Sequence, residues 1–231
     1  MRFLGIGVVL TVFLIVPFQE MATAQTIRQE TAKRNLEQLK NGVLIVRLNT
    51  NSKTLEALDF GINNPDASFE TRQSLQAQYD QRVHERDSVN NLLLEHFGGE
   101  TYNYSPVYFM YDTCTYRLKN KEATGYFMDK NLQLSDSMSI EGKNFFMTYI
   151  GRTPQTTGTN TRAFIVKDQF FQIPDPPFPG YVTFRKGLTK SKSSKKRDKK
   201  LSVFKGYTME DVVRKFSDVM NWTYHKAQAE W

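Results

Sequence analysis

The sequence predicts a single α+β domain: a mixed β-sheet, built from a parallel crossover pair plus an antiparallel meander, covered by a long helix and a C-terminal amphipathic helix. Three observations carry this. Two almost continuously apolar segments, Val43–Leu48 and Ser105–Tyr111, enclose a long helical pattern. Strand, long helix, strand is the parallel crossover unit, expected to be right-handed. Beyond the second strand, short segments rich in aromatic and β-branched residues alternate with tight links, the signature of antiparallel pairing. Near the end, Met209, Val212, Val213, Phe216, Val219, Met220 and Tyr224 recur at i, i+3, i+4, i+7, the stripe of a helix lying on a sheet.

The chain opens with Arg2, an apolar run from Phe3 to Phe18, and the small-residue triplet Ala22-Thr23-Ala24. A basic start, a short apolar core and an A-x-A ending make residues 1–24 a secretory signal peptide with cleavage after Ala24. The run contains Gly5, Gly7 and Pro17 and is short for a membrane span, so no transmembrane anchor is expected after cleavage. Residues 25–231 are then one domain, with a periplasmic or secreted destination.

Thr26 to Lys40 suits a helix with a thin apolar edge of Ile27, Leu36 and Leu39, stopped at Asn41-Gly42. Val43–Leu48 follows as an internal strand. Asn51 or Ser52 caps a short helix that closes near Gly61, and Asn63-Asn64-Pro65-Asp66 is a turn. The longest helix runs from Phe69 to Phe97. Its apolar stripe is interrupted by Arg86, so its later half, from Val89, is expected to contact the sheet while its early half stands in water.

Ser105–Tyr111 is apolar on both faces and is expected as a central strand, with the Val43 strand beside it near the middle of the sheet. Gly125–Met128 and Asn144–Ile150 are expected as strands. Arg162–Lys167 and Phe170–Ile173 flank Asp168-Gln169, which reads as a hairpin turn. Thr153 to Thr161 is a surface loop. Pro174-Asp175-Pro176-Pro177-Phe178-Pro179-Gly180 cannot continue a ladder and bends the chain over an edge, leaving Tyr181–Phe184 as the last, outer strand. Thr208 caps the final helix, with Glu210 and Asp211 in its first turn.

Charge is distributed unevenly. The net charge is +7, yet the stretch from Arg185 to Lys200 holds nine basic residues against the single acid Asp198. The rest of the chain is close to neutral, so the basicity belongs to one Lys-rich surface loop at 185–205. Lys190, Lys192, Lys195, Lys196, Arg197, Lys199 and Lys200 are the candidate residues for binding an anionic surface, either envelope lipid or acidic glycan. No aromatic residues interleave these charges to stack on bases, which argues against specific nucleic-acid recognition.

Catalytic motifs are missing. There is no G-x-S-x-G, no phosphate-cradling glycine loop and no H-E-x-x-H, and His84, His96 and His225 have no metal-ligand spacing. No metal and no cofactor is expected. Cys114, the only cysteine, stands just past the second strand, where thioredoxin-like folds carry Cys-x-x-Cys at a helix start. The second cysteine of that motif is replaced by Arg117. The later Pro-rich turn would then correspond to their cis-proline loop.

Several segments together resemble a family of uncharacterised secreted proteins of Bacteroidota. They are Leu39–Leu48, Ser105–Phe109, Gly125–Leu132, Phe164–Phe170 and Pro176–Pro179. The resemblance covers most of residues 25–231, implies export in a Gram-negative cell and carries no activity with it. In that phylum, Asp87-Ser88-Val89 and Asp136-Ser137-Met138 resemble the short acceptor pattern for O-glycosylation. The expected function is therefore an exported, non-enzymatic protein of the periplasm or cell surface that contacts anionic envelope components through its basic loop. The alternative is a degenerate thioredoxin-like thiol redox protein using Cys114.

Overall fold

The computed structural model describes residues 24–154, 160–184 and 208–231, so the Lys-rich loop and all of the expected signal peptide but Ala24 lie outside the described residues. A first helix, α1, occupies 24–41. The order then runs β1 (Val43–Leu48), α2 (Ser52–Ile62), α3 (Phe69–Phe97), β2 (Val107–Tyr111), a 3₁₀ turn (Asp112–Cys114) and α4 (Thr115–Lys119). β3 (Phe145–Arg152), β4 (Arg162–Lys167), β5 (Tyr181–Thr183) and α5 (Met209–Glu230) complete it. The strands form one sheet in the order β2-β1-β3-β4-β5. β1 is parallel to both β2 and β3, while β3–β4 and β4–β5 are antiparallel. This is the expected α+β domain with a mixed sheet.

One expectation is corrected. β2 is the edge strand, not a central one, because β3 takes the other side of β1. Two-faced burial reports what lies above and below a strand and says nothing of what lies beside it. Phe109 and Met110 are buried by layers on the two faces, not by lateral neighbours. The outer edge of β2 is covered at one point, where Phe109 and Met128 exchange backbone hydrogen bonds of 3.0 and 2.8 Å. The expected strand Gly125–Met128 is reduced to that bridge.

The pleat sorts the core into two layers. On one face Leu44, Val46, Leu48, Phe109, Phe146, Phe164 and Val166 meet α1, α3 and α5. Phe97, Phe164 and Phe216 are mutually edge-on there, with centroids 5.2 to 5.7 Å apart, and Tyr102 and Phe184 extend the cluster. Edge-to-face rings gain quadrupole attraction beyond their buried area. Leu36 and Leu39 of α1 are fully buried, whereas Ile27 stays exposed. α5 is held by the expected capping box, in which Thr208 and Asp211 satisfy each other's backbone N–H groups. It is also pinned from within: buried Ser217 donates to the Asn103 side chain (2.9 Å) and accepts from its N–H (3.3 Å). Tyr104 donates to the Leu36 carbonyl at 2.9 Å, and burial raises the pKa of both Tyr102 and Tyr104.

The opposite face carries Val43, Ile45, Met110, Phe145 and Met147 under α4 and the turn-rich chain that follows it, through Leu118, Phe127 and Ile140. Burial pushes the Tyr126 phenol up to about 12 here. Gly42, at the entry to β1, has to be glycine because a Cβ would collide with the Asn144 carbonyl.

The expected hairpin at Asp168-Gln169 is also corrected. β4 pairs with β5 instead, and Phe170–Ile173 forms no strand. The turn is longer than two residues. Asp168 Oδ1 accepts from the N–H groups of Phe170 and Gln172, both at 2.9 Å, while Phe171 takes φ 62°. Asp129 builds the same turn, accepting from Asn131 (2.8 Å) and Gln133 (2.9 Å), with Leu132 at φ 60°. The Gln133 N–H holds the Asp129 carboxyl below the usual carboxylate range. In both turns a left-handed residue breaks the extended backbone, so no ladder can run through it.

α2 and α3 pack against each other as a helical hairpin whose far end lies away from the core, with Phe60 and Phe69 79% and 71% exposed. The sheet is met only by the later part of α3, through Leu93, Leu94 and Phe97, as its interrupted stripe predicts.

Candidate functional site

Parallel strands direct their carboxyl ends to one edge of a sheet, and open α/β sheets place ligands there. In this chain the pairing of β1 with β3 stops at Val46 and Thr148, and the strands beyond it flank a cleft of about 370 Å³. Four arginines line it: Arg47 from β1, Arg82 and Arg86 from α3, and Arg162 from β4. By pleat alternation Arg47 and Tyr149 belong to the thinly covered face, while Ile150 belongs to the helix-covered face, so the cleft wraps around the end of the sheet.

The α3 contribution follows from helical spacing. Arg82, Glu85, Arg86, Val89, Asn90 and Leu93 fall at three- and four-residue intervals and share one side of the helix. The residue that breaks the apolar stripe, Arg86, is thus the one the cleft uses. Its Nε donates to Asp87 at 2.8 Å and its Nη1 to the Thr50 carbonyl at 3.4 Å, and the Asp87 contact raises its pKa. Arg82 pairs with Glu85 at 3.2 Å. Arg47 lies over the Tyr149 ring, 4.2 Å from its centroid, and has no carboxylate partner among the described residues.

Arg162 stands directly across the β3–β4 ladder from Arg152. Burial, with the neighbouring Arg152 charge second, lowers the Arg162 pKa. Like charges in cross-strand register oppose pairing.

The floor of the cleft is the loop between β1 and α2, and it is built rather than loose. Buried Asn90 grips the backbone of Asn49 on both sides, its Oδ1 accepting from the N–H (3.1 Å) and its Nδ2 donating to the carbonyl (2.8 Å). Asp112, at the end of β2, accepts from the Thr50 N–H (3.0 Å) and hydroxyl (2.6 Å). Asn51 takes φ 54° at the N-cap of α2. It is the cap residue by position, but its side chain accepts from Asn49 Nδ2 and not from the helix, while its backbone N–H donates to Asn49 Oδ1. The two carboxylates of the cleft, Glu85 and Asp112, are thereby both engaged, and the arginines outnumber them.

The residues singled out from sequence fare differently. Cys114 is half-buried, closes the 3₁₀ turn and precedes a helix of only five residues. It packs against the thinly covered layer with Leu118 and Phe127. Arg117, in the position of a second cysteine, is bound to Glu122 at 2.6 Å and to the Gly125 carbonyl at 3.0 Å. The Pro-rich turn holds a cis Pro176–Pro177 bond, but its Phe178 packs into the helix-covered layer, on the other side of the sheet from Cys114. His84 and His225 are exposed, and no group of three or more metal-ligating side chains occurs among the described residues. Ser137 is exposed in a turn and Ser88 is partly buried on α3. Lys190, Lys192, Lys195, Lys196, Arg197, Lys199 and Lys200 lie outside the described residues.

Sequence reading missed the arginine cleft. Its signals were a lone arginine within an apolar strand, at Arg47, and an arginine breaking a helical stripe, at Arg86. No family model, curated protein or solved structure matches the chain.

Proposed function

We propose that this chain is an exported, non-enzymatic binding protein of the periplasm or cell surface that grips an anionic group in the arginine cleft. The observation that carries the reading is the convergence of Arg47, Arg82, Arg86 and Arg162 on one cleft at the carboxyl ends of the parallel strands. Guanidinium forks bind carboxylate or phosphate oxygens two at a time, which gives geometric selection as well as charge.

The Lys-rich loop at 185–205 has a separate role in this reading. Its charge attracts anionic envelope lipid or glycan from a distance, in a salt-dependent manner, and the cleft supplies the specific contact. Two variants separate the parts, with melting curves as the folding control. Arg47→Gln with Arg162→Gln is expected to abolish calorimetric binding of inorganic phosphate and galacturonate while leaving adhesion to anionic vesicles. Replacing Lys192, Lys195, Lys196, Arg197, Lys199 and Lys200 by Gln is expected to do the reverse. If neither anion binds the native protein at low salt, the cleft is not an anion site.

A further inference from the structure

Building on that reading of the cleft, we infer that its ligand is an acidic oligosaccharide, with a uronate carboxylate among the arginines and the adjoining sugar in a second pocket. The second pocket, of about 240 Å³, shares Asn49, Arg86 and Asn90 with the arginine cleft, so the two form one trough across the end of the sheet. Arg86 is the shared wall. The trough runs from the β3–β4 end, at Arg162, to the β2 edge, at Tyr111 and Leu132.

The chemistry changes along it. The first pocket offers guanidinium groups, and the second adds Thr50, Asn91, Tyr111 and Leu132. The Thr50 hydroxyl is held by Asp112, and the Asn91 amide beside an aromatic ring and an apolar side chain suits a ring that presents hydroxyls at its edge and C–H groups on its face. That is a sugar. The Asn90 side chain is already committed to the Asn49 backbone, which fixes the step between the pockets.

Charge sets the anion's valence. Arg82 and Arg86 are matched to Glu85 and Asp87, and Arg47 has no carboxylate partner among the described residues, so the site suits a single carboxylate rather than a polyphosphate. The sugar ring then has to supply the remaining affinity, by filling the second pocket with contacts that a free inorganic ion cannot make.

The test is calorimetric titration of the folded chain with galacturonate, a galactose–galacturonate disaccharide that carries one carboxylate, a neutral galactose disaccharide and inorganic phosphate. The singly charged disaccharide is expected to bind at least about tenfold tighter than galacturonate, a difference of one decade in Kd. Leu132→Ala with Asn91→Ala is expected to erase that gain and leave galacturonate binding unchanged. The neutral disaccharide is expected not to bind measurably. Equal affinity for galacturonate and the singly charged disaccharide, or phosphate binding as tightly as that disaccharide, overturns the sugar assignment while the anion site stands. If no anion binds, both readings fall together.

Discussion

The two faces of the sheet are covered by different means. One lies beneath three helices and an interlocked aromatic cluster, where Phe97, Phe164 and Phe216 each contact the other two. The other is covered by a five-residue helix and chain that moves from turn to turn, closed by Asp129 and its neighbours. Long helices cover a sheet with self-satisfied backbone, so their side chains are free to pack. Turn-rich cover has to satisfy its own N–H and C=O groups locally, and it does so with carboxylates and left-handed residues. The cleft opens where the two kinds of cover meet at the strand ends. Neither layer closes that edge, and arginines stand there instead of a third apolar layer.

Core truncation tests the contrast most strongly. Phe216→Ala is expected to cost about 3–5 kcal/mol, because its ring touches several others that cannot all collapse into the void. Leu118→Ala on the thin side is expected to cost about 2 kcal/mol, the low end for such a change, since turns adjust more readily than helices. Urea unfolding measures both, and equal costs would remove the distinction between the layers.

A smaller effect, of opposite sign, is expected inside β3. Thr148 is fully buried between Val46 and Val166, and its hydroxyl has no hydrogen-bond partner among the described residues. Thr148→Val keeps the shape and removes the buried polar atom, so it is expected to stabilise the fold by about 1 kcal/mol. A lower melting temperature in this variant would mean that the hydroxyl is satisfied in the native state.

The subtlest probe is the thiol. Cys114 sits in the thin layer, half-buried against Leu118 and Phe127, and is expected to react with an alkylating agent much more slowly in the folded protein than in urea. Rapid native labelling near neutral pH would instead favour the thiol redox reading of Cys114.

The elements with strong local signals were legible from sequence. α3 begins and ends at Phe69 and Phe97, α5 starts at its Thr208 capping box, and β1, β3 and β4 lie on their apolar segments. Capping, helical period and alternation are set by residues within a few positions of one another, so a linear reading finds them. The edge position of β2 was not legible. Burial on two faces looks alike for a central strand and for an edge strand with a layer on each side, and strand neighbours are chosen across long sequence separations. The loss of the Phe170–Ile173 strand came from Phe171 adopting a left-handed conformation, which a residue of that type gives no hint of. The cleft was least legible of all. Arg47, Arg86 and Arg162 come from a strand, a helix and a second strand, and each alone reads as an isolated charge on an amphipathic element. Sequence by itself determined the helices, most of the strands and the layers they bury. Only the tertiary structure decided strand order, and with it which charges share one edge, because convergence in space depends on pairings that no local pattern encodes.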